Sequence, residues 1–364
     1  MESTDRTIKV NGKVIPHFEC NPDSLLLKTN VFFGASNTGK SKILDHCAYT
    51  LRKHIPMWFA FSPTPTKAAQ LTSRLPSRTV MNRVDLRFLE KLCKRQEMAV
   101  KFYDLSNNIE VLRTLYRSIP DYKRRVEDDT IREIRRITNA TLDSLDFQKD
   151  KSGGVIFAEK RAIQDDTEHY VKEIYRKTIS NNKTSIDREN LTDDEQNVMD
   201  KYLFFNPHVG CIFEDCAAFV KEWDKNSTIR EMFYQGRHYA LTSFFTFQDD
   251  KDLTSEFRKN AFNIFCTTST VADAYFKRPS NNFAKSEQRE AASIAEIVFY
   301  PPTKDNYKKL VFSRQSEPRF QYILADDHEA DPFKLGCKSF WDYFNALPVP
   351  EKKYEVNPFF TLFK

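Results

Sequence analysis

The sequence predicts an α/β fold, a mostly parallel sheet flanked by helices and broken by a helical insertion. Three observations carry that expectation. Short apolar runs alternate with helix-periodic stretches near the start of the chain and again after residue 204, and a strand–helix–strand unit of this kind calls for a parallel sheet with a right-handed crossover. Between them lies a charged, helix-periodic stretch over 85–203. The composition agrees: 364 residues carry 31 Phe and only 8 Gly, with 40% hydrophobic residues. That is enough for a real core and too little Gly for an all-β array of tight turns. The net charge of +5 excludes a highly charged nucleic-acid tail but not a local basic face.

Asn11-Gly12 between short apolar stretches signals a hairpin over 8–15. Leu25 to Phe33 is a strand candidate, followed by a loop and then a helical pattern from about Ser41 to Lys53. Pro56 to Phe61 is the next strand and stops at Ser62-Pro63-Thr64-Pro65. Within the insertion, Ile109, Leu112, Leu115 and Ile119 form one apolar stripe. Ile163, Thr167, Tyr170, Val171 and Ile174 form another. Thr192 with Glu195 reads as a capping box, and Gly153-Gly154 divides the region. Sheet pattern resumes at Val209 to Phe213, with helix signals over Ala217 to Glu222. Strands are expected at Tyr239 to Phe247 and Asn263 to Thr268, then a helix at about Ala284 to Ile297. Tyr307 to Phe312 and Phe320 to Leu324 read as a closing β pair. The domain reading is therefore 1–84 and 204–330 for two halves of one core, 85–203 for the insertion, and 331–364 for an aromatic tail.

Seven Cys are widely spaced with no C-x-x-C pair, so they read as reduced thiols rather than a zinc or thioredoxin-type site. The first residues are polar, without an apolar signal core, and no run reaches the roughly 18 apolar residues of a membrane helix. A soluble protein inside a cell or particle is the expectation.

Gly34-Ala35-Ser36-Asn37-Thr38-Gly39-Lys40-Ser41 matches G-x-x-x-x-G-K-[ST]. A strand precedes it and a helix follows, the context a phosphate loop needs. Gly34 and Gly39 let backbone N–H groups turn inward at phosphate oxygens, and the helix N-terminus adds partial positive charge. Lys40 brings a full charge to the β- and γ-phosphates, and Ser41 offers a hydroxyl to Mg²⁺. The fold expectation thereby sharpens to a P-loop NTPase binding ATP and Mg²⁺.

Such a loop needs a carboxylate on a nearby strand. Val209 to Asp215 supplies one: Glu214 is assigned to the Mg²⁺ shell with Ser41, and Asp215 to the attacking water. The reverse assignment stays open, since Asp followed by Glu is the commoner order. Gln248 ends the Tyr239 strand, where a polar residue overlies the ligand crevice and can hold the water and sense the γ-phosphate. Arg237 and His238 are open to nucleotide, a neighbouring subunit or DNA, and His238 reads first as a structural residue.

Together these pieces resemble the FtsK/HerA superfamily of P-loop ATPases, and within it the genome-packaging ATPases of double-stranded DNA viruses, the poxvirus type among them. The matching residues are Gly34 to Ser41, Trp58-Phe59-Ala60-Phe61-Ser62-Pro63-Thr64, Phe213-Glu214-Asp215-Cys216, Gly236-Arg237-His238 with Gln248, and Arg258-Lys259-Asn260. The family more often has two Asp where this chain has Glu214-Asp215. The resemblance covers roughly 25–66 and 205–270 and leaves out most of the insertion and the tail. It implies a RecA-like core, a homo-oligomeric ring (pentamer or hexamer), ATP hydrolysis, and translocation of double-stranded DNA into a preformed capsid. In a ring, Arg258 reaches the neighbour's γ-phosphate as an arginine finger, unless it is a solvated surface residue. The implied setting is the host-cell cytoplasm or the virion.

The insertion carries basic clusters at Lys123-Arg124-Arg125, Arg132 and Arg135-Arg136, interleaved with acids. They read first as a solvated helix with internal salt bridges, then as a DNA or subunit contact. The tail reads as packing onto its own domain, with docking to a capsid or vertex protein as the alternative. Two other functions compete with the packaging motor: a helicase or repair translocase of the same superfamily, and an ATP-binding assembly protein without motor activity.

Overall fold

The structure, a computed structural model, describes residues 7–10, 12–146, 153–220, 226–303, 306–325 and 332–348. It divides into two compact units, Met1–Glu97 with Pro207–Lys364, and Met98–Asn206.

In chain order, the first unit opens with β1 (Thr7–Val10), β2 (Lys13–Pro16), α1 (Pro22–Leu25), β3 (Thr29–Phe33), α2 (Lys40–Leu51), β4 (Met57–Phe61), α3 (Pro65–Thr72) and β5 (Val80–Met81). α4 (Leu86–Asn107), α5 (Ile109–Arg117), α6 (Asp121–Asp146), α7 (Gly153–Asn182) and α8 (Asp193–Asn197) follow. Next come β6 (Val209–Glu214), α9 (Ser227–Gln235), β7 (Leu241–Phe247), α10 (Ser255–Asn260), β8 (Asn263–Cys266), α11 (Ser269–Lys277) and α12 (Lys285–Val298). The described chain ends with β9 (Lys308–Ser313), β10 (Phe320–Leu324) and α13 (Lys338–Ala346).

Eight strands form one sheet in the order β10-β9-β8-β3-β7-β6-β4-β5. The run from β8 to β5 is parallel, and β9 and β10 close the edge antiparallel. β1 and β2 form the expected hairpin beside it. Every residue of β3, β6, β7 and β8 is buried, as parallel strands covered on both faces must be.

The abundant Phe now has a physical role. On one face Phe265, Phe32, Phe244 and Trp58 stack in sequence across the strands, with Phe32 and Phe265 centroids 4.4 Å apart. On the other face Phe33, Phe247, Phe245, Phe213 and Phe61 form a second row, with Phe213 and Phe245 4.4 Å apart. The first row crosses β6 only because residue 210 is Gly. Trp58 is paired in register with Gly210, and its indole covers the space a Cβ would take.

Several expected boundaries shift for identifiable reasons. The strand expected from Leu25 begins at Thr29, because Asn21 caps a short helix through Ser24 with Pro22 in its first turn. The strand expected from Tyr239 begins at Leu241, after a 3-10 turn over Gly236–Tyr239. The helix expected over Ala217 to Glu222 opens with a 3-10 turn at Ala217–Phe219 and is α-helical at Val220, and residues 221–225 lie outside the described residues. The short helices α3, α9 and α11 had no assignment from sequence.

The second unit is narrower than 85–203. Phe88, Leu89, Leu92 and Cys93 at the start of α4 pack into the core of the sheet unit, so the compact helical unit begins at Met98. Its core is built on Leu112, Leu115 and Ile119 from one expected stripe and on Val171 from the other, joined by Tyr175 and Ile179, which the expected stripe did not include. Tyr170 is an exception, at 63% exposed. The Thr192–Glu195 capping box is present. The described part of the tail is no separate domain, since Phe340 and Phe344 of α13 pack edge-on against Phe59. Phe359, Phe360 and Phe363 lie outside the described residues.

Candidate functional site

The phosphate loop leaves the end of β3 and enters α2 at Lys40. Gly39 has φ +98, a left-handed angle that favours glycine. A Cβ on Gly34 would occupy the place of the Thr267 hydroxyl. The Thr267 hydroxyl, just past β8, shares a 2.6 Å hydrogen bond with the Thr38 hydroxyl and lies 3.2 Å from the Phe33 carbonyl. Thr38 also donates to the Ala35 carbonyl at 2.7 Å. The loop is thus held in a closed turn by its neighbouring strand. Ala35, Ser36 and Asn37 are exposed at its tip, and the α2 N-terminus has no side-chain cap, so its N–H groups are available to an anion.

Lys40 donates to the carbonyls of Gly34 and, at 2.8 Å, Ala35. Burial holds its pKa below the ordinary lysine range, partly offset by the nearby charges of Asp215 and Glu214.

β7 lies between β3 and β6, so the acidic strand end reaches the loop from one strand away. Glu214 is 5% exposed, and its carboxylate accepts from the Ser41 hydroxyl at 3.1 Å. Asp215 turns the chain sharply with φ +61. Its N–H donates to Thr246 at 3.2 Å, and its carboxylate accepts from Thr64 at 2.9 Å. The two acids are therefore distinct in position. Glu214 points at Ser41, and Asp215 is fixed toward the end of β4. The strand order and the loop decide the fold class. This is the fold of a P-loop NTPase, with a RecA-like, mostly parallel sheet and a helical insertion.

A nucleoside triphosphate with Mg²⁺ is the group this loop implies, and the residues fit it. A hydroxyl and a buried carboxylate within hydrogen-bond reach form a hard-oxygen donor set, beside a turn whose amides and lysine suit phosphate.

Gln248 is exposed at the first position after β7, on the same edge of the sheet as the loop. For Arg237 and His238 one of three open alternatives falls away, and the expectation for Arg258 needs correction. Arg237 and His238 precede β7, at the strand end opposite the loop, and seven residues of strand separate them by about 20 Å. They are exposed and bonded to each other at 3.4 Å, so neither meets nucleotide bound in its own subunit. Arg258 is 4% exposed. Its guanidinium donates to Asn281 at 2.8 Å, to Ser280 at 2.9 Å, and to the Asp250 and Leu253 carbonyls. A side chain buried and bonded in this way locks its own loops together and is not a finger for a neighbouring site.

The sequence reading missed Lys67, in the first turns of α3. Its ammonium lies 2.8 Å from the Ser41 hydroxyl and 3.3 Å from the Glu214 carboxylate. The signal was a lysine soon after the strand expected at Pro56 to Phe61, and it gains meaning only when β4 is known to pair with β6.

No protein-family model matches the chain. The chain is 26% identical to the uncharacterized protein B354L of African swine fever virus (isolate Pig/Kenya/KEN-50/1950) over 368 residues, which is 97% of this chain and 98% of the relative. Among solved structures it is similar to the genome packaging NTPase B204 from Sulfolobus turreted icosahedral virus 2, with a TM-score of 0.36, 12% identity, and coverage of 84% of this chain and 98% of that one. It is also similar to the bacterial conjugative coupling protein TrwB, with a TM-score of 0.36, 11% identity and 91% of each chain covered. Scores this low leave the fold assignment resting on the strand order and the loop.

Proposed function

We propose that this chain is a Mg²⁺-dependent ATPase that drives double-stranded DNA into a viral capsid as a homo-oligomeric ring. The observation that carries the ATPase reading is the Ser41 hydroxyl against the buried Glu214 carboxylate, 3.1 Å apart at the foot of the phosphate loop. The order of motifs along the chain supports the packaging assignment, and the full-length relative named above is viral.

In this reading Mg²⁺ neutralises charge on the β- and γ-phosphates when bound. The loop amides and the α2 N-terminus hold the phosphates, and Lys40 turns from its own loop carbonyls to the γ-phosphate. Ser41 and Glu214 hold the ion. Asp215, oriented by Thr64 and Thr246, positions and polarises the attacking water, and Gln248 holds that water from the neighbouring strand end. With Arg258 engaged internally, any cation supplied across a ring interface comes from another residue. A packaging motor grips DNA through phosphates without reading bases, so its DNA binding is strongly salt-dependent.

The test is ATP hydrolysis with and without linear duplex DNA, across protein concentration and salt, with Lys40→Ala as control. Duplex-stimulated turnover that rises cooperatively with protein concentration and vanishes in the variant is the expected result. ATP binding without turnover by oligomeric, DNA-bound protein overturns the motor reading.

A further inference from the structure

Lys67 is placed where the proposed reaction needs a different cation. Its ammonium donates to the Ser41 hydroxyl at 2.8 Å and pairs with Glu214 Oε1 at 3.3 Å. Those are the two groups assigned to the divalent ion, and one hydroxyl–carboxylate pair cannot hold two cations at once. Glu214 is also too buried to stand alone, since a desolvated carboxylate without a positive partner is strongly destabilising. The two partners differ in freedom. The Lys67 side chain is 34% exposed against 7% for Glu214, and its flexible four-carbon stem lets the ammonium leave while the carboxylate stays. α3 roots it three residues after Thr64, whose hydroxyl holds Asp215.

We propose that Lys67 is a placeholder cation. It neutralises Glu214 and caps Ser41 until Mg²⁺ arrives with nucleotide, and it then withdraws from both. This rests on the metal–nucleotide reading of the site and adds a competition to it. Lys67 sets the divalent-ion concentration at which the site fills, and it keeps the carboxylate paired between turnovers. It is a positioning residue and performs no bond-making step.

The test uses the full-length chain and a readout other than turnover. Free Mn²⁺ is followed by electron paramagnetic resonance during titration at saturating ATPγS, for wild type, Lys67→Met, Lys67→Gln and Lys67→Arg. The lysine of the displaced pair is the exposed partner and regains water on leaving, so removing the competitor lowers half-saturating Mn²⁺ by about 3- to 5-fold in the Met and Gln variants. Lys67→Arg keeps the charge and stays near wild type. Binding of fluorescent ATP in EDTA is not strengthened in any variant. Unchanged or raised half-saturation in both Met and Gln variants overturns the placeholder role while leaving the metal–nucleotide site intact. Absence of nucleotide-dependent Mn²⁺ uptake in the wild type overturns both.

Discussion

The charges at the phosphate loop of the sheet unit and those on α6 of the helical unit are organised in opposite ways. At the phosphate loop, Ser41, Lys67 and Glu214 come from three elements far apart in sequence and meet around a buried carboxylate. In the helical unit the ion pairs of α6 are local. Arg124 pairs with Asp121 and Asp128, Arg132 with Asp129, and Arg136 with Glu133, all three or four residues apart on one helix. Tertiary structure has to be folded before the first set exists, whereas any solvated helix makes the second set. Buried, non-local charge marks the chemistry, whereas Arg124, Arg132 and Arg136 of the basic clusters on α6 are paired with acids of their own helix. That weakens the reading of those clusters as a DNA-gripping surface.

The largest expected effect that tests this contrast is at Lys40. Lys40→Ala removes the charge aimed at the phosphates, and ATP hydrolysis falls by about 100-fold or more while circular dichroism stays native. Retained hydrolysis would place the chemistry elsewhere. A structural counterpart lies beneath the site. Gly210→Val puts a side chain into the Trp58 ring and costs about 1–3 kcal/mol in overpacking, read as a lower Tm. An unchanged Tm would show that the Phe–Trp row is not a close-packed unit.

A smaller effect concerns Cys20 and Cys47, whose sulfurs lie 3.8 Å apart. The hydrogen bond with Cys47, together with nearby His46, pulls the Cys20 thiol down to about 6, while burial pushes Cys47 up. Because the Cys20 pKa is lowered, its thiolate dominates at neutral pH and is lost as pH falls through about 6. Alkylation of Cys20, followed by mass spectrometry, should decline with a midpoint near that pH, ahead of buried Cys211 and Cys266. A midpoint above pH 8 would contradict the pairing. The smallest effect closes the comparison. The double variant Arg132→Ala/Arg136→Ala leaves Tm, hydrolysis and low-salt DNA affinity unchanged, because both side chains are exposed and their pairs are local. A clear loss of DNA affinity would make these residues the DNA contact of the proposed motor.

Much of this contrast was legible in the sequence. The phosphate loop, the acidic strand and the strand–helix alternation are local patterns, and local patterns survive without a structure. The ion pairs of α6 were legible for the same reason, since residues three or four apart share a helix face. Lys67 was not, because its role depends on β4 lying beside β6. Arg258 was misread because a basic residue on a short helix looks the same whether it is solvated or buried. Only the convergence of Asp250, Leu253, Ser280 and Asn281 shows which. Arg237 and His238 stayed open between nucleotide, subunit and DNA contact because a motif names a strand but not which end of it faces the ligand; their place before β7 removes the first of these.

The central claim is that Glu214, held against Ser41, makes the phosphate loop a hydrolytic metal site. Single-turnover hydrolysis of Mg·ATP by wild type and Glu214→Gln, with bound nucleotide measured in parallel, tests it most directly. The account predicts that the variant binds nucleotide and loses turnover by about 100-fold. Equal turnover in the two proteins would contradict it.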